Sequence, residues 1–261
     1  ITGLDLSQPI PPNTLTDLRK VWLERKMIYF LDQKLTPDEQ LAFTRQFGEV
    51  NKYPFLNGIE GKPLVAPVLK LPDETINFGG VWHADTTYLE TPALGASLYA
   101  LELPPVGGDT IFCNMQTAYE TLEQGIKDQI EGRKAYFTSG KAAVSKTRMP
   151  RLADCGDASA PEVFTNLHPV VRTHPETGER TLFVHEAHTL RFEDCTEEES
   201  EPLLNQLYLH ARKPEFQCRL RWSKGMVVLW DNRSTHHYPI NDYNGYRRLL
   251  HRVSLKGDRP V

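Results

Sequence analysis

Most of the chain consists of short segments that have the composition of β-strands and do not alternate with helices. They are rich in β-branched and aromatic residues, and Gly, Pro, Asn or Asp bounds them. The clearest are GASLYALELP, GDTIFCN, HPVVRTHP, RTLFVHE, EFQCRLRWS, GMVVLWDN and RRLLHRVSLKG. A doubly wound parallel sheet would need a helix between successive strands. We therefore expect a mainly β member of the α+β class, an antiparallel double-stranded β-helix (jelly roll) core with flanking helices.

Four segments have the apolar spacing and the end signals of helices, and MIYFLDQ reads as a short buried strand. The segment TLTDLRKVWLERKMIYF predicts the first helix, with Thr14 or Thr16 as its N-cap. The second has Thr36 as N-cap, Glu39 as its capping-box partner and Gly48 as a stop signal. MQTAYETLEQGIKDQIEG predicts a third helix, and TEEESEPLLNQLYLHAR predicts a fourth.

The overall composition excludes several classes of function. A net charge of −4 gives no basic field that would attract nucleic acid. The apolar runs are too short to span a bilayer, and ITGLDLSQPI lacks the regions of a signal peptide. The 4 cysteines form no CxxC pair, which favours reduced thiols. We expect a cytoplasmic protein that binds neither nucleic acid nor a membrane.

Residues 139–164 show no clean periodicity and carry four basic side chains, Lys141, Lys146, Arg148 and Arg151. Loops of this length are usually functional or disordered. The segment is therefore either a candidate lid loop over an active site or a solvated surface excursion.

A candidate metal site begins in VWHADTTYLE, where one residue separates His83 from Asp85. On a strand, this spacing puts both side chains on one face. An imidazole and a carboxylate are two of the three ligands of the 2-His-1-carboxylate facial triad, which leaves open positions on Fe(II). A hydrogen-bonded surface pair would have the same spacing, since His and Asp are common at surfaces. A third ligand is expected where the apolar strand GMVVLWDNRSTHHYP ends, but the residues alone do not distinguish His236 from His237.

Two arginines share one face of the strand predicted for NGYRRLLHRVSLKG, because Arg248 and Arg252 are an even number of positions apart. If that face is interior, both guanidinium groups need anionic partners. Each partner is either a protein carboxylate or a bound organic anion.

Together, WHADTTYLETP, ELPPVGGDTIF, HPVVRTHPETG and WDNRSTHHYPINDYNGYRRLLHR resemble the taurine dioxygenase and 2,4-dichlorophenoxyacetate dioxygenase family. The resemblance implies one Fe(II)- and 2-oxoglutarate-dependent dioxygenase domain over residues 1–261. It also implies that O2 and 2-oxoglutarate are co-substrates and that succinate and CO2 are released. The expected reaction is hydroxylation of a C–H bond in a small organic anion, with or without cleavage to a carbonyl product. Such relatives form dimers or tetramers, so a homo-oligomer is expected.

The family pattern implies roles for five residues at the reaction centre. His83, Asp85 and His237 match the iron ligands, which makes His237 rather than its neighbour the third ligand. Thr110, in GGDT, matches the threonine that contacts 2-oxoglutarate, and Arg248 matches the arginine that pairs with its distal carboxylate. A guanidinium fork suits a carboxylate because it donates two parallel hydrogen bonds.

The resemblance also implies a binding site for the prime substrate. Arg252 matches the position that holds the sulfonate in taurine dioxygenase. Tyr53, Gly79 and His188 replace the His, Asn and Phe expected there, and Gly79 would leave extra room. These departures favour an anionic substrate that is larger than taurine.

Two other classes of protein compete with this interpretation. A non-catalytic jelly-roll module for a metal or a ligand would not need both Thr110 and Arg248. A zinc-dependent hydrolase would need an activated water and a nearby general base, which WHADTT does not offer.

Overall fold

A computed structural model describes residues 1–142, 144 and 163–261 of the chain. In these residues the helices are α1 (Pro12–Arg25), α2 (Pro37–Arg45), α3 (Met115–Glu120), α4 (Gln124–Ile130) and α5 (Glu197–Ala211), with a 3-10 turn at Pro214–Phe216. The first seven strands are β1 (Met27–Phe30), β2 (Val50–Asn51), β3 (Ala66–Lys70), β4 (Gly95–Glu102), β5 (Thr110–Asn114), β6 (Lys134–Thr138) and β7 (Thr165–Pro169). The others are β8 (Val171–Thr173), β9 (Arg180–Leu182), β10 (Thr189–Phe192), β11 (Gln217–Leu220), β12 (Val227–Asp231), β13 (Thr235–Pro239) and β14 (Arg248–Leu255).

Two main sheets form the roll, and their strand pairs are antiparallel. The large sheet has the order β1-β12-β4-β14, and β2 and β3 pair with different stretches of β14. The small sheet has the order β11-β5-β13. Sheets β10-β6-β7 and β8-β9 complete the described part of the fold. This architecture is the antiparallel roll that the strand pattern predicts.

Strand β12 shows how the layers are held together, because all of its residues are buried. Val227 and Leu229 belong to the apolar cluster beneath α1 and α2 on the outside of the large sheet. Val228 and Trp230 belong to a second cluster that also contains Phe112 of the small sheet. Alternate side chains therefore join the helices to the sheet and one sheet to the other. Full burial of such side chains contributes roughly 1.5–3 kcal/mol each.

The helix ends follow the capping signals in one helix and depart from them in another. In α2, Thr36 Oγ1 accepts a hydrogen bond from Glu39 N, and the Glu39 carboxylate accepts one from Thr36 N, as predicted. The predicted caps of α1 are wrong, since that helix begins at Pro12. Proline suits the first helical position because its φ is already helical and no N–H is lost. Thr16 lies inside the helix and donates a hydrogen bond to the Pro12 carbonyl.

Two longer predicted elements are divided in the structure. The predicted third helix splits into α3 and α4, because the backbone leaves the helical region at Glu123, where φ is −59° and ψ is 143°. The segment GMVVLWDNRSTHHYP is not one strand with histidines at its end. It is β12, a turn and β13, and β13 carries the histidines into the small sheet.

Some predictions fall partly outside the described residues. The proposed lid, 139–164, is described only at 139–142, 144, 163 and 164, so its function stays a prediction. Within the described part of the chain, no helix is long and apolar enough to cross a membrane. The described cysteines, Cys113, Cys195 and Cys218, are free thiols.

The α2 cap yields a test of local stability. We expect Thr36→Ala to lower the free energy of unfolding by about 1 kcal/mol, since it leaves an N-terminal N–H without its acceptor. Thr16→Ala is the matched control: Thr16 is also exposed but lies inside α1, where alanine is the better helix former. Urea unfolding measures both variants. Equal losses of stability would contradict the capping account.

Candidate metal centre and adjoining cavities

A buried ion-pair network closes the turn between β12 and β13. The Arg233 guanidinium donates hydrogen bonds to both carboxylate oxygens of Asp231, at 2.9 and 2.6 Å. His174 Nε2 lies 3.1 Å from the same carboxylate. Burial raises the pKa of Asp231, but the Arg233 and His174 contacts outweigh it and hold that pKa well below its usual range. The charge is therefore paired inside the protein, and the turn that precedes the two adjacent histidines is fixed.

His83 and His237 face each other across a single antiparallel bridge. His83 N donates to His237 O at 3.1 Å, and His237 N donates to His83 O at 2.8 Å. Their rings lie 4.1 Å apart, centroid to centroid. The expectation that His83 and Asp85 share a regular strand is wrong, because this bridge is isolated and Asp85 begins a turn.

Asp85 completes a cluster of three potential metal ligands. Its Oδ1 lies 3.8 Å from His83 Nε2 and 3.9 Å from His237 Nε2. One ligand atom from each residue lies within 4.8 Å of the others. The side chain of Asn232, in the turn after β12, accepts a hydrogen bond from Asp85 N at 3.3 Å. The closed turn thus also positions the carboxylate.

The protonation states of the cluster suit a divalent cation. His83 Nδ1–H donates to the Val81 carbonyl at 2.6 Å, which leaves the Nε2 lone pair for a metal. Burial, reinforced by the nearby His83, lowers the pKa of His237 well below its usual value, so this ring stays neutral. Burial raises the pKa of Asp85, but the charge of Arg252 more than offsets this effect and holds that pKa below its usual range, so the carboxylate is ionised. Metals bind neutral imidazole and ionised carboxylate.

The cluster has the composition of a facial triad and fits Fe(II). Asp85 Oδ2 and His237 Nδ1 are buried and have no hydrogen-bond partner among the described residues. Two nitrogens and one carboxylate leave room for further ligands on the metal. His236 lies on the other face of β13, where its ring is 5.1 Å from that of His185. The choice of His237 over His236 therefore agrees with the geometry.

A cavity beside the metal centre contains both residues expected to bind 2-oxoglutarate, Thr110 and Arg248. We call it the Arg248 cavity. Arg248 is buried, and among the described residues its Nε has no hydrogen-bond partner and its guanidinium has no ion pair. Its guanidinium lies 5.6 Å from the Trp222 ring and 5.9 Å from the Tyr243 ring. Thr110 Oγ1 accepts a hydrogen bond from Trp222 Nε1 at 3.0 Å, which leaves its own proton available for an anion.

A second cavity, the Tyr53 cavity, brings together the three residues that depart from the family pattern. Tyr53, Gly79 and His188 line it, together with His83 and Asp85. Gly79 has φ +71°, and a Cβ at this position would lie 3.0 Å from His83 Cε1. The glycine is therefore required by the backbone and by the close approach of a metal ligand. The sequence predicts that Gly79 leaves extra room for the substrate. The close contact with His83 is a second, structural reason for a glycine at this position.

Arg252 has a protein carboxylate as its partner, which is one of the two alternatives left open by the sequence. Its Nη1 donates to Asp85 Oδ1 at 2.9 Å, and its Nε donates to Ser254 Oγ at 3.1 Å. Its Nη2 is buried and has no hydrogen-bond partner in the described part of the chain, and its guanidinium lies 4.8 Å from the Tyr53 ring. One side of the guanidinium is thus committed to a metal ligand, and the other remains available.

Two residues of the Arg248 cavity, Lys70 and Tyr243, were not predicted from the sequence. Lys70 ends β3, a strand whose sequence APVLK contains a proline and gave no clear strand signal. Its position opposite Arg248 emerges only from the pairing of β3 with β14.

Non-haem iron oxygenases combine an open facial triad with a jelly-roll core, so fold and site together define this class of enzyme. The family model described as "Taurine catabolism dioxygenase TauD, TfdA family" matches residues 1–254. The chain belongs to this family of dioxygenases.

Individual relatives show the same similarity. An alkylsulfatase of Acinetobacter baylyi is 31% identical over 266 residues, which cover 99% of this chain and 81% of the relative. An alpha-ketoglutarate-dependent 2,4-dichlorophenoxyacetate dioxygenase of Cupriavidus pinatubonensis is 30% identical over 279 residues, covering 100% of this chain and 95% of the relative. A solved taurine dioxygenase from Burkholderia xenovorans has a TM-score of 0.83 and 32% identity, over 99% of this chain and 87% of its own. The predicted family and jelly-roll fold are confirmed.

The two adjacent histidines give a matched test of the metal centre. We expect His237→Ala to abolish Mn(II) binding measured by calorimetry, because it removes one of three ligands. His236→Ala removes an equally buried ring from the opposite face of β13, so it is expected to keep the metal affinity even if its melting temperature falls. The reverse result would refute the assignment of His237.

Proposed function

We propose that this dioxygenase uses Fe(II), 2-oxoglutarate and O2 to hydroxylate a C–H bond of a small organic anion. One observation carries the proposal: Arg248, a buried arginine that forms no ion pair with a carboxylate of the described residues, opens into a cavity that also reaches two ligands of the His–Asp–His cluster. A buried guanidinium needs an anion. A 2-oxo acid with a distal carboxylate supplies that anion and two further groups that can chelate the metal.

The residues of the chain would bind and orient the co-substrate. His83, Asp85 and His237 would hold iron, which when bound supplies the chemistry that couples decarboxylation of 2-oxoglutarate to substrate oxidation. Arg248 would donate two hydrogen bonds to the distal carboxylate, and the Thr110 hydroxyl would donate a third. Apolar residues of the cavity wall, among them Val68, Leu98 and Phe112, would shield this carboxylate from water and so strengthen these contacts.

The Tyr53 cavity is the proposed site of the prime substrate. Arg252 lines the neighbouring Arg248 cavity, and its guanidinium lies 4.8 Å from the Tyr53 ring. Its Nη2 would bind the anionic group of the substrate beside Tyr53, and His188 and Gly79 would complete the walls. The similar proteins include an alkylsulfatase and a dioxygenase named for 2,4-dichlorophenoxyacetate. We therefore propose a sulfonate, a sulfate ester, an aryloxyalkanoate or another carboxylate as substrate. Hydroxylation of a carbon that carries a heteroatom would lead on to cleavage and a carbonyl product.

Four further properties are proposed. Residues 1–261 would act as one dioxygenase domain, a proposal that the family match over residues 1–254 supports. Residues 139–164 would form a lid; Val144, within this segment, lines the Tyr53 cavity. The protein would work in the cytoplasm, and it would assemble as a homo-dimer or homo-tetramer.

Turnover of 2-oxoglutarate tests the proposed function. With Fe(II) and ascorbate, we expect succinate to form faster when the correct organic anion is added from a panel of sulfonates, sulfate esters and aryloxyalkanoates. Release of sulfite, sulfate or a phenol would identify cleavage. Absence of succinate across the panel, together with hydrolysis by the zinc-loaded protein, would favour a hydrolase instead.

The Arg247–Arg248 doublet tests the binding of 2-oxoglutarate. Arg248→Met should weaken that binding at least 30-fold, since loss of one partner from a buried charged pair costs about 2–5 kcal/mol. Arg247→Met is the control, because Arg247 is exposed and pairs with Glu102. Calorimetric titration of the Mn(II)-loaded proteins compares them. Equal effects of the two variants would count against the role of Arg248.

A further inference from the structure

A second buried cation lies in the Arg248 cavity. Lys70 is only 3% exposed, and its Nζ has no hydrogen-bond partner among the described residues. Its ammonium group lies 4.3 Å from the centre of the Tyr243 ring, which also borders the Arg248 guanidinium. One aromatic ring thus contacts both cations at the wall of one cavity.

The sheet register places these two cations together. Lys70 of β3 and Arg248 of β14 are direct cross-strand partners in an antiparallel pair. Residues opposite each other share a face of the sheet, and like charges in this arrangement destabilise it. Burial increases the cost, because a charge inside a protein needs a counter-charge. This pair of cations is therefore unfavourable unless an anion lies between or beside them.

Other buried cations of the described chain have protein carboxylates as partners. Lys26 pairs with Glu179 at 2.9 Å, and the guanidinium of Arg172 pairs with Asp258 at 2.8 Å. Lys70 and Arg248 lack such an ion pair within the described residues, and both line the cavity that adjoins the metal centre. Glu74 acts on Lys70 and Asp109 acts on Arg248 without forming an ion pair. Among the described buried cations, a direct carboxylate partner is therefore missing only in this cavity.

We propose that Lys70 is a second binding group for the distal carboxylate of 2-oxoglutarate, which it would hold together with Arg248. The proposal rests on the proposed function and deepens it. Burial lowers the pKa of Lys70, with the charge of Glu74 acting in the opposite direction. A carboxylate beside the ammonium group would favour its charged form. Two cations would also make the site select 2-oxo acids that carry a distal carboxylate.

Replacement by a residue of similar shape separates this role from a structural one. We expect Lys70→Met to weaken 2-oxoglutarate binding to the Mn(II)-loaded protein by about 10- to 100-fold, the range for a lost charge-assisted hydrogen bond. The affinity for 2-oxobutyrate, which lacks the distal carboxylate, should stay within a few-fold of the wild-type value. Lys70→Arg should retain most of the 2-oxoglutarate affinity, because it keeps the charge.

Thermal unfolding provides the second readout and the matched control. Without 2-oxoglutarate, Lys70→Met should melt no lower than the wild type, since an unpaired buried charge is removed. Its increase in melting temperature on adding 2-oxoglutarate should be smaller than that of the wild type. Lys26→Met removes a buried lysine that has a carboxylate partner, so it should lower the melting temperature and leave 2-oxoglutarate affinity unchanged.

The outcomes distinguish this proposal from the proposed function. A wild-type protein that does not bind 2-oxoglutarate would overturn both. If the wild type binds but Lys70→Met binds equally well, Lys70 has no role in recognition. Equal losses of affinity for 2-oxoglutarate and 2-oxobutyrate would also overturn the proposal, because they indicate a general distortion of the cavity.

Discussion

The pair of backbone hydrogen bonds between His83 and His237 is the contact on which the rest of the site depends. It joins two distant parts of the chain and sets two imidazoles side by side. Its register is critical, because a slip of one residue along β13 would turn His236 toward the metal and His237 away from it. The Asp231–Arg233 ion pair guards against such a slip by fixing the turn that leads into β13. The ion pair that stabilises the turn therefore also sets the register on which metal ligation depends.

Charge placement distinguishes the supporting part of the molecule from the part that binds ligands. Away from the ligand cavities, buried cations such as Arg233 and Arg172 pair with protein carboxylates. At the site, Arg252 divides its guanidinium between a metal ligand and an open cavity, and Arg248 and Lys70 have no carboxylate partner among the described residues. An unpaired buried cation destabilises the free protein, and a bound anion would remove this destabilisation. Groups held in place before binding also lose little freedom when the ligand arrives.

Several features of the site could be predicted from the sequence because they depend on local order along the chain. Strand alternation placed Arg248 and Arg252 on one face, and both are buried. The family pattern selected His237. Other features depend on contacts between distant segments. Asp85 as the partner of Arg252, the closeness of Gly79 to His83 and the place of Lys70 opposite Arg248 all follow from the three-dimensional arrangement. The division of the predicted third helix has a different, local cause. The backbone leaves helical geometry between α3 and α4, and the spacing of apolar residues does not indicate this.

The central claim is that one metal centre and one anion cavity act together on 2-oxoglutarate. Crystals grown without oxygen in the presence of Fe(II) and 2-oxoglutarate would test it most directly, by anomalous diffraction at the iron absorption edge. We predict a single iron peak between His83, Asp85 and His237, with the distal carboxylate of 2-oxoglutarate bound to Arg248. An iron peak away from these three residues, or a 2-oxoglutarate molecule with its distal carboxylate outside the Arg248 cavity, would contradict the account.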